Sequence, residues 1–269
     1  MKSEPDVISV VMAAGRGSRM KAFDGNKTLL PLVPGQSIFE GGEPILVHVM
    51  RSLPPGEKAV IVHHRADAVK AATRSFSPTY CLQPDLNGTG GALLAGRDFL
   101  AAQACDRMLI TMGDVPFVRP ETYRRLVEKL ETHHMVALGF QPADKKQYGV
   151  FEIEGDRVRR ITEWKYWREY PAERRAALDV CNAGIYAARR EVLVAYLSVL
   201  ESRPQSVQKE RGGRMTTIHE YFLTDIVEYM NADGLSVSFV LVADEMETMG
   251  VDDPLALERA QEYYRRHYR

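Results

Sequence analysis

The chain has 269 residues, 45% hydrophobic and 26% charged, the balance of a globular protein with enough apolar material for a substantial core. Lys plus Arg (35) nearly match Asp plus Glu (36), for a net charge of -1. That excludes a global pull toward nucleic acid or an anionic membrane and leaves any anion binding to a local feature.

The N-terminus, MKSEPDVISVVMAAG, carries a short apolar run with an acidic flank. It is too short to span a bilayer and unlike a secretory leader. Cys81, Cys105 and Cys181 lie far apart without CxxC spacing, which fits a reducing compartment and an inert role. The expected location is cytoplasmic, with no nucleic-acid or membrane partner.

Residues 6–13, DVISVVMA, read as a buried strand. Residues 44–53 have helical spacing, 58–64 form a second Val/Ile-rich strand, 90–100 a helix and 106–114 a third strand. In the helix that follows, Tyr123, Leu126, Val127 and Leu130 share one face. Residues 135–141 are a strand, and 148–164 a hairpin turning at 154–156. CNAGIYAA (181–188) is a strand followed by a helix. Residues 202–215, polar, basic and Gly-rich, are expected to be a loop. A helix, the strand LSVSFVLVA and a closing helix complete the chain. Alternating strands and helices predict a three-layer α/β fold with a mixed, mainly parallel central sheet and a small β insertion. We read one domain, divided into a first part at 7–120, a second at 121–253 and a C-terminal helix at 254–269.

The first strand ends in AAGRGSRM, and Arg16, Arg19, Lys21 and Lys27 crowd the turn behind it. A dinucleotide fingerprint needs a third glycine where Met20 stands, and a Walker A loop needs one where Asn26 stands. Two readings stay open on the residues alone: a solvated basic turn, or a glycine turn whose N–H groups and cations cage phosphates. Asp114 is likewise open between a helix cap before Pro116 and a ligand-binding carboxylate at a strand's carboxyl end. His63–His64 and His133–His134 lack metal-ligand spacing and are read as structural or surface residues.

The whole string AAGRGSRM…KTLLPL resembles the opening motif of the sugar-nucleotidyltransferases. The resemblance extends over residues 7–260. LQPDLNGTGGALLAG (82–96) resembles the QxxxxGTGxA segment of the bacterial N-acetylglucosamine-1-phosphate uridylyltransferases, and MGDVP their GDVP. YGV, ITEWK, CNAGIY, YFLTDI and GVDDPLAL resemble the later segments in order. The resemblance implies a Rossmann-like fold, Mg2+ as cofactor, and UTP with a sugar 1-phosphate as substrates. Ala13, Ala14, Gly15, Gly17, Gln83, Gly88 and Thr89 would bind nucleotide, with Arg19 and Lys27 neutralising its phosphates. Gly149, Glu163, Asn182 and Thr224 would bind sugar, with Lys165 near the phosphates. Asp114 and Asp252 would hold the metal, and Asp253 would cap the last helix. Asp rather than Asn at 252 adds a charge expected to tighten metal binding.

Departures are Met112 for the family tyrosine and Asn26 for the proline before the lysine. The second removes a fixed φ from the loop. Lys27, a loop residue, is expected to matter little for folding. The bifunctional relatives carry a hexapeptide-repeat β-helix that is not seen before Arg269, so no acetyl transfer is expected. Another nucleotide, another sugar or alcohol phosphate, or a non-catalytic nucleotide-sugar regulator are the alternatives. A homo-oligomer is left open.

Overall fold

The structure is a computed structural model and describes residues 6–15, 17, 20, 23–211 and 214–268. Arg19, expected to be catalytic, lies outside the described residues, as do Arg16 and Lys21.

Val- and Ile-rich runs with no polar face have nowhere to go but a sheet covered on both sides. Nine strands make that sheet. In chain order they are β1 (Ile8–Met12), β4 (Lys58–Val62), β5 (Thr79–Leu82), β6 (Arg107–Met112), β7 (Met135–Phe140), β8 (Val150–Glu154), β9 (Arg157–Thr162), β10 (Cys181–Arg189) and β13 (Val237–Val242). Their spatial order is β5-β4-β1-β6-β10-β7-β13-β9-β8. β1, β4, β5 and β6 run parallel, with Val10 opposite Ala59 and Ile110. β10 runs antiparallel to β6 and β7, so the sheet is mixed as expected.

Period-2 alternation sends the strand side chains into two cores. Val11 and Val60 face α1 (Ile45–Ser52), α2 (Ala66–Thr73), α5 (Pro120–Glu128) and α10 (Pro254–His267). Val10 and Ile61 face α3 (Gly88–Ala95), α4 (Arg97–Ala101), α8 (Arg190–Glu201) and α9 (Asp225–Ala232). The predicted 90–100 helix is thus two helices, separated at Gly96. Two short helices, α6 (Trp164–Trp167) and α7 (Ala172–Ala177), follow β9.

Two hairpins stand beside the main sheet. β2 (Pro31–Ser37) and β3 (Glu40–Pro44) form the long 33–44 connection. Gln261 of α10 clamps that hairpin, donating to the carbonyls of Pro31 at 2.9 Å and Ile38 at 2.7 Å. The expected loop at 202–215 is instead a hairpin, β11 (Gln205–Arg211) with β12 (Arg214–Glu220), paired from Gln205–Glu220 to Arg211–Arg214. Its polar, basic composition suggested a loop, yet cross-strand backbone pairing satisfies N–H and C=O groups whatever the side chains are. The tyrosines of the closing helix pack rather than stack on bases: Tyr263 and Tyr268 lie against Phe117, and Tyr264 against His48.

Candidate active site

Because β1, β4, β5 and β6 are parallel, their carboxyl ends open on one edge, where ligands of open α/β sheets bind. Ala13 and Ala14 follow β1, Gln83 follows β5, and Gly113–Asp114 follow β6. Gly113 N–H donates to the Met12 carbonyl at 2.9 Å, so two neighbouring strand ends are stitched together.

At this edge Lys27 ion-pairs with Asp114 and, at 2.6 Å, with Asp252. Burial of the ammonium opposes its charge, but the two carboxylates outweigh that and hold its pKa above the ordinary lysine value. Lys27 is therefore a part-buried, paired charge at the start of a short helical turn, Lys27–Leu29, and not the free loop side chain expected. Gly17, at φ 63°, is the turn that admits it: a Cβ there would sit 3.0 Å from the Lys27 Cβ.

Asp114 caps no helix, since α5 begins only at Pro120. Asp252, unlike Asp114, does not sit at a strand end. Nine residues separate it from β13, and the link is a bond from Val251 N–H to the Asp114 carbonyl at 2.9 Å. Asp253 is the cap, accepting from Ala256 N–H at 2.8 Å, with Pro254 at the first helical position. Among the described residues, no group of three or more His, Cys, Asp or Glu could hold a metal ion. Two carboxylates sharing one cation do suit Mg2+, which takes hard oxygens and completes its shell from phosphates and water. In the ligand-free protein the charge of Asp252 is met by Lys27.

Beside the triad lies a cleft of about 320 Å³ lined by Ala14, Gly15, Lys27, Gln83, Gly88, Thr89, Met112, Asp114 and Glu220. Gln83 is 2% exposed, and its amide donates to Asn87 Oδ1 at 3.0 Å and the Gly88 carbonyl at 3.3 Å. Both donors of the Gln83 amide are thereby committed within the protein. His63 holds the backbone carbonyl of Gln83 at 2.8 Å, which is the structural role read for that histidine. Gly88 has φ 95°, and a Cβ there would meet the Tyr221 carbonyl at 2.4 Å, so only glycine fits this approach. Thr89 Oγ1 accepts from Leu223 N–H at 3.2 Å, tying the cleft to the next group of residues.

That group is Gly149, Glu163, Asn182 and Thr224. Thr224 Oγ1 donates to Glu163 Oε1 at 3.0 Å, and Asn182 N–H to the Gly149 carbonyl at 2.8 Å. A Cβ on Gly149 would lie 3.6 Å from Glu163 Oε2. A bulge in β10 between Asn182 and Tyr186 turns the strand there. Asn182 Oδ1 accepts from Gly184 N–H, and its amide donates to the Tyr186 hydroxyl at 2.7 Å. Burial raises the Glu163 pKa, with Asp225 adding to the rise and Thr224 and Lys165 opposing it. Lys165 lies over the rings of Tyr166 and Phe222, at 4.6 and 4.9 Å. A wider cavity of about 910 Å³, lined by Tyr148, Trp164 and Asp252 among others, meets the triad at Asp252.

Glu220 was not singled out in the sequence. It is 5% exposed and lines the same cleft. Its place directly before YFLTDI was the available signal.

A glycine turn, a paired lysine and two carboxylates at the carboxyl edge of a parallel sheet define a nucleotide-handling α/β protein. Residues 9–209 match the MobA-like NTP transferase domain, and the chain belongs to that family of nucleotidyltransferases. It is 33% identical to the bifunctional protein GlmU of Cereibacter sphaeroides over 99% of this chain and 54% of that protein. Against GlmU of Ruegeria pomeroyi the figures are 34%, 93% and 51%. The chain thus spans about half the length of the curated relatives it matches. Its fold is also that of the uridine diphosphate N-acetylglucosamine pyrophosphorylase from Trypanosoma brucei, with TM-score 0.73, 14% identity, and coverage of 96% and 65% of the two chains. A structure described as a glucose-1-phosphate thymidylyltransferase from Bacillus anthracis aligns with TM-score 0.66, 20% identity, and coverage of 96% and 95%. Among the described residues no helix is long and apolar enough to cross a membrane.

Proposed function

We propose that the chain transfers a uridylyl group from UTP to N-acetylglucosamine 1-phosphate, forming UDP-N-acetylglucosamine and pyrophosphate. The observation that carries this is Lys27, held by Asp114 and Asp252 beside a cleft lined by Gln83, Gly88 and Thr89. A phosphate oxygen of the acceptor attacks the α-phosphorus, and the bond to the β-phosphate oxygen breaks in line. The acceptor phosphate is already ionised at neutral pH, so no general base is needed. Lys27 and Arg19 meet the charge that develops on the leaving pyrophosphate. Gln83 presents its carbonyl to the uracil N3–H, and the Gly88–Thr89 backbone lets the base lie close. Glu163, Asn182, Thr224 and the Gly149 backbone take the sugar hydroxyls and acetamido group, with Lys165 on the phosphate side. When bound, Mg2+ on Asp114 and Asp252 would supply charge neutralisation to the triphosphate.

The relatives named as GlmU support this choice of substrates. A matrix of nucleoside triphosphates against sugar 1-phosphates, read as pyrophosphate released with and without Mg2+, tests it. Turnover is expected with UTP and N-acetylglucosamine 1-phosphate, and only with the metal. A different preferred pair overturns the substrate assignment, and no turnover with any pair overturns the enzyme reading.

A further inference from the structure

Asn26 is a loop residue, yet it is 1% exposed. Its amide donates to the Ala13 carbonyl at 2.8 Å and to the His64 carbonyl at 2.9 Å. Its Oδ1 accepts from the Thr28 N–H at 3.0 Å and from the Thr28 hydroxyl at 2.8 Å. Two donors and two acceptor positions are all that an asparagine side chain has, and all are used.

The partners come from three places. Ala13 follows β1, His64 follows β4, and Thr28 lies one residue beyond Lys27. The backbone carbonyl of Asn26 also accepts from Leu29 N–H at 2.9 Å, closing the short turn that carries Lys27. The segment 26–29 is thereby tied to the ends of two adjacent parallel strands. Lys27 itself reaches its carboxylates on a long, freely rotating stem. A fixed backbone origin is what lets that stem deliver its ammonium to one point.

We propose that Asn26 is the positioning residue that holds Lys27 at the corner shared by Asp114, Asp252 and the triphosphate. The assignment rests on the Lys27 role given under the proposed function. Asn26 commits its whole side chain to protein partners and acts only through Lys27. Its φ of -84° lies close to the angle a proline ring imposes. Proline would therefore fit the backbone while lacking every one of the side-chain bonds. Two designs for the same task are thus separable: a preset φ, or a tether. In this chain the tether does the positioning.

The test compares wild type, Asn26→Ala, Lys27→Ala and the double variant. For each, kcat and KM are measured with the best pair from the substrate matrix. Affinities for UTP and for inorganic tripolyphosphate with Mg2+ are measured by calorimetry, and Tm is recorded. Asn26→Ala is expected to lower kcat roughly 10–100-fold, the scale of a misplaced catalytic group. In the Lys27→Ala background the same substitution should change kcat by no more than about twofold, because the group it positions is gone. The drop in Tm should be similar in both backgrounds, which separates positioning from general loosening. Asn26→Pro should lose kcat as Asn26→Ala does. Thr28→Val removes one hydroxyl bond and serves if the larger changes do not fold; its kcat loss should be smaller and equally dependent on Lys27.

Additive kcat losses, or an Asn26→Pro enzyme as fast as wild type, overturn the tether while leaving the role of Lys27 intact. A Lys27→Ala protein that binds tripolyphosphate and UTP as tightly as wild type and turns over normally overturns both.

Discussion

Replacing Lys27 by methionine keeps most of the stem and deletes the charge. The stem is worth keeping, because it lies beside the Gly17 turn, where an added Cβ would come within 3.0 Å of it. What remains is two carboxylates facing one another without their cation. Removing one partner of a fully buried pair costs roughly 3–5 kcal/mol, while exposed pairs are worth about 1 or less. The Asp114 side chain is 15% exposed and will feel nearly the full penalty. Asp252, at 41%, can turn to water. The sum should fall near 2–3 kcal/mol, or roughly 5–10 °C in Tm for a domain of this size. The assay is thermal unfolding at low salt, first in EDTA and then in millimolar Mg2+. Added metal should recover part of the loss, because a cation that binds the folded protein stabilises it by mass action. Turnover should fall by about 10²–10³, as for other preorganised electrostatic contacts. A variant as stable as wild type in EDTA would refute the view that the pair is buried and structural.

Gln83→Ala should weaken UTP binding and narrow the preference over CTP, measured as the ratio of kcat/KM values. Unchanged discrimination would remove Gln83 from base recognition. Glu163→Gln should raise KM for the sugar phosphate yet raise Tm at pH 7. The folded pKa of Glu163 lies above 4.5, so the stability of its neutral form is present below 4.5 and lost as pH rises through the raised value. The glutamine stays neutral throughout, so its advantage should fade below pH 4.5; a gap that persists in acid contradicts the burial argument. Asp253→Ala deletes a helix cap and should cost about 1 kcal/mol of stability with little change in kcat, whereas Asp252→Ala should cripple turnover at low Mg2+.

Strands such as ISVVM and KAVIV announced themselves, because burial on both faces demands unbroken apolar runs. The edge strand β5, TYCL, did not; Leu82 is 64% exposed there, so no apolar run marks it. The β11–β12 hairpin was hidden for a related reason. It pairs outside the main sheet, and its order comes from backbone bonds that composition does not report. In the site, Gln83, Asp114 and Lys27 were legible from motif and spacing. The way Asp252 arrives was not, since it depends on a backbone bond between Val251 and Asp114. The work of Asn26 was equally invisible, because two of its three partners, Ala13 and His64, lie 13 and 38 residues away.

The ion pair between Lys27 and Asp252 spans 225 residues of chain. At translation rates of 5–20 residues per second, roughly ten to forty-five seconds pass between the making of one partner and the other. Once residue 114 has been made, part-way through that interval, the parallel half of the sheet can form with Gln83 and Asp114 on its edge. The lysine then has only Asp114 for company, and the segment from Met246 to α10 that brings Asp252 does not yet exist. Contacts of such separation close late, after their loop entropy has been met by other structure. The corner in which one lysine meets both carboxylates is therefore completed only after residue 252 has been made, which makes that ion pair a late event in the folding of this chain.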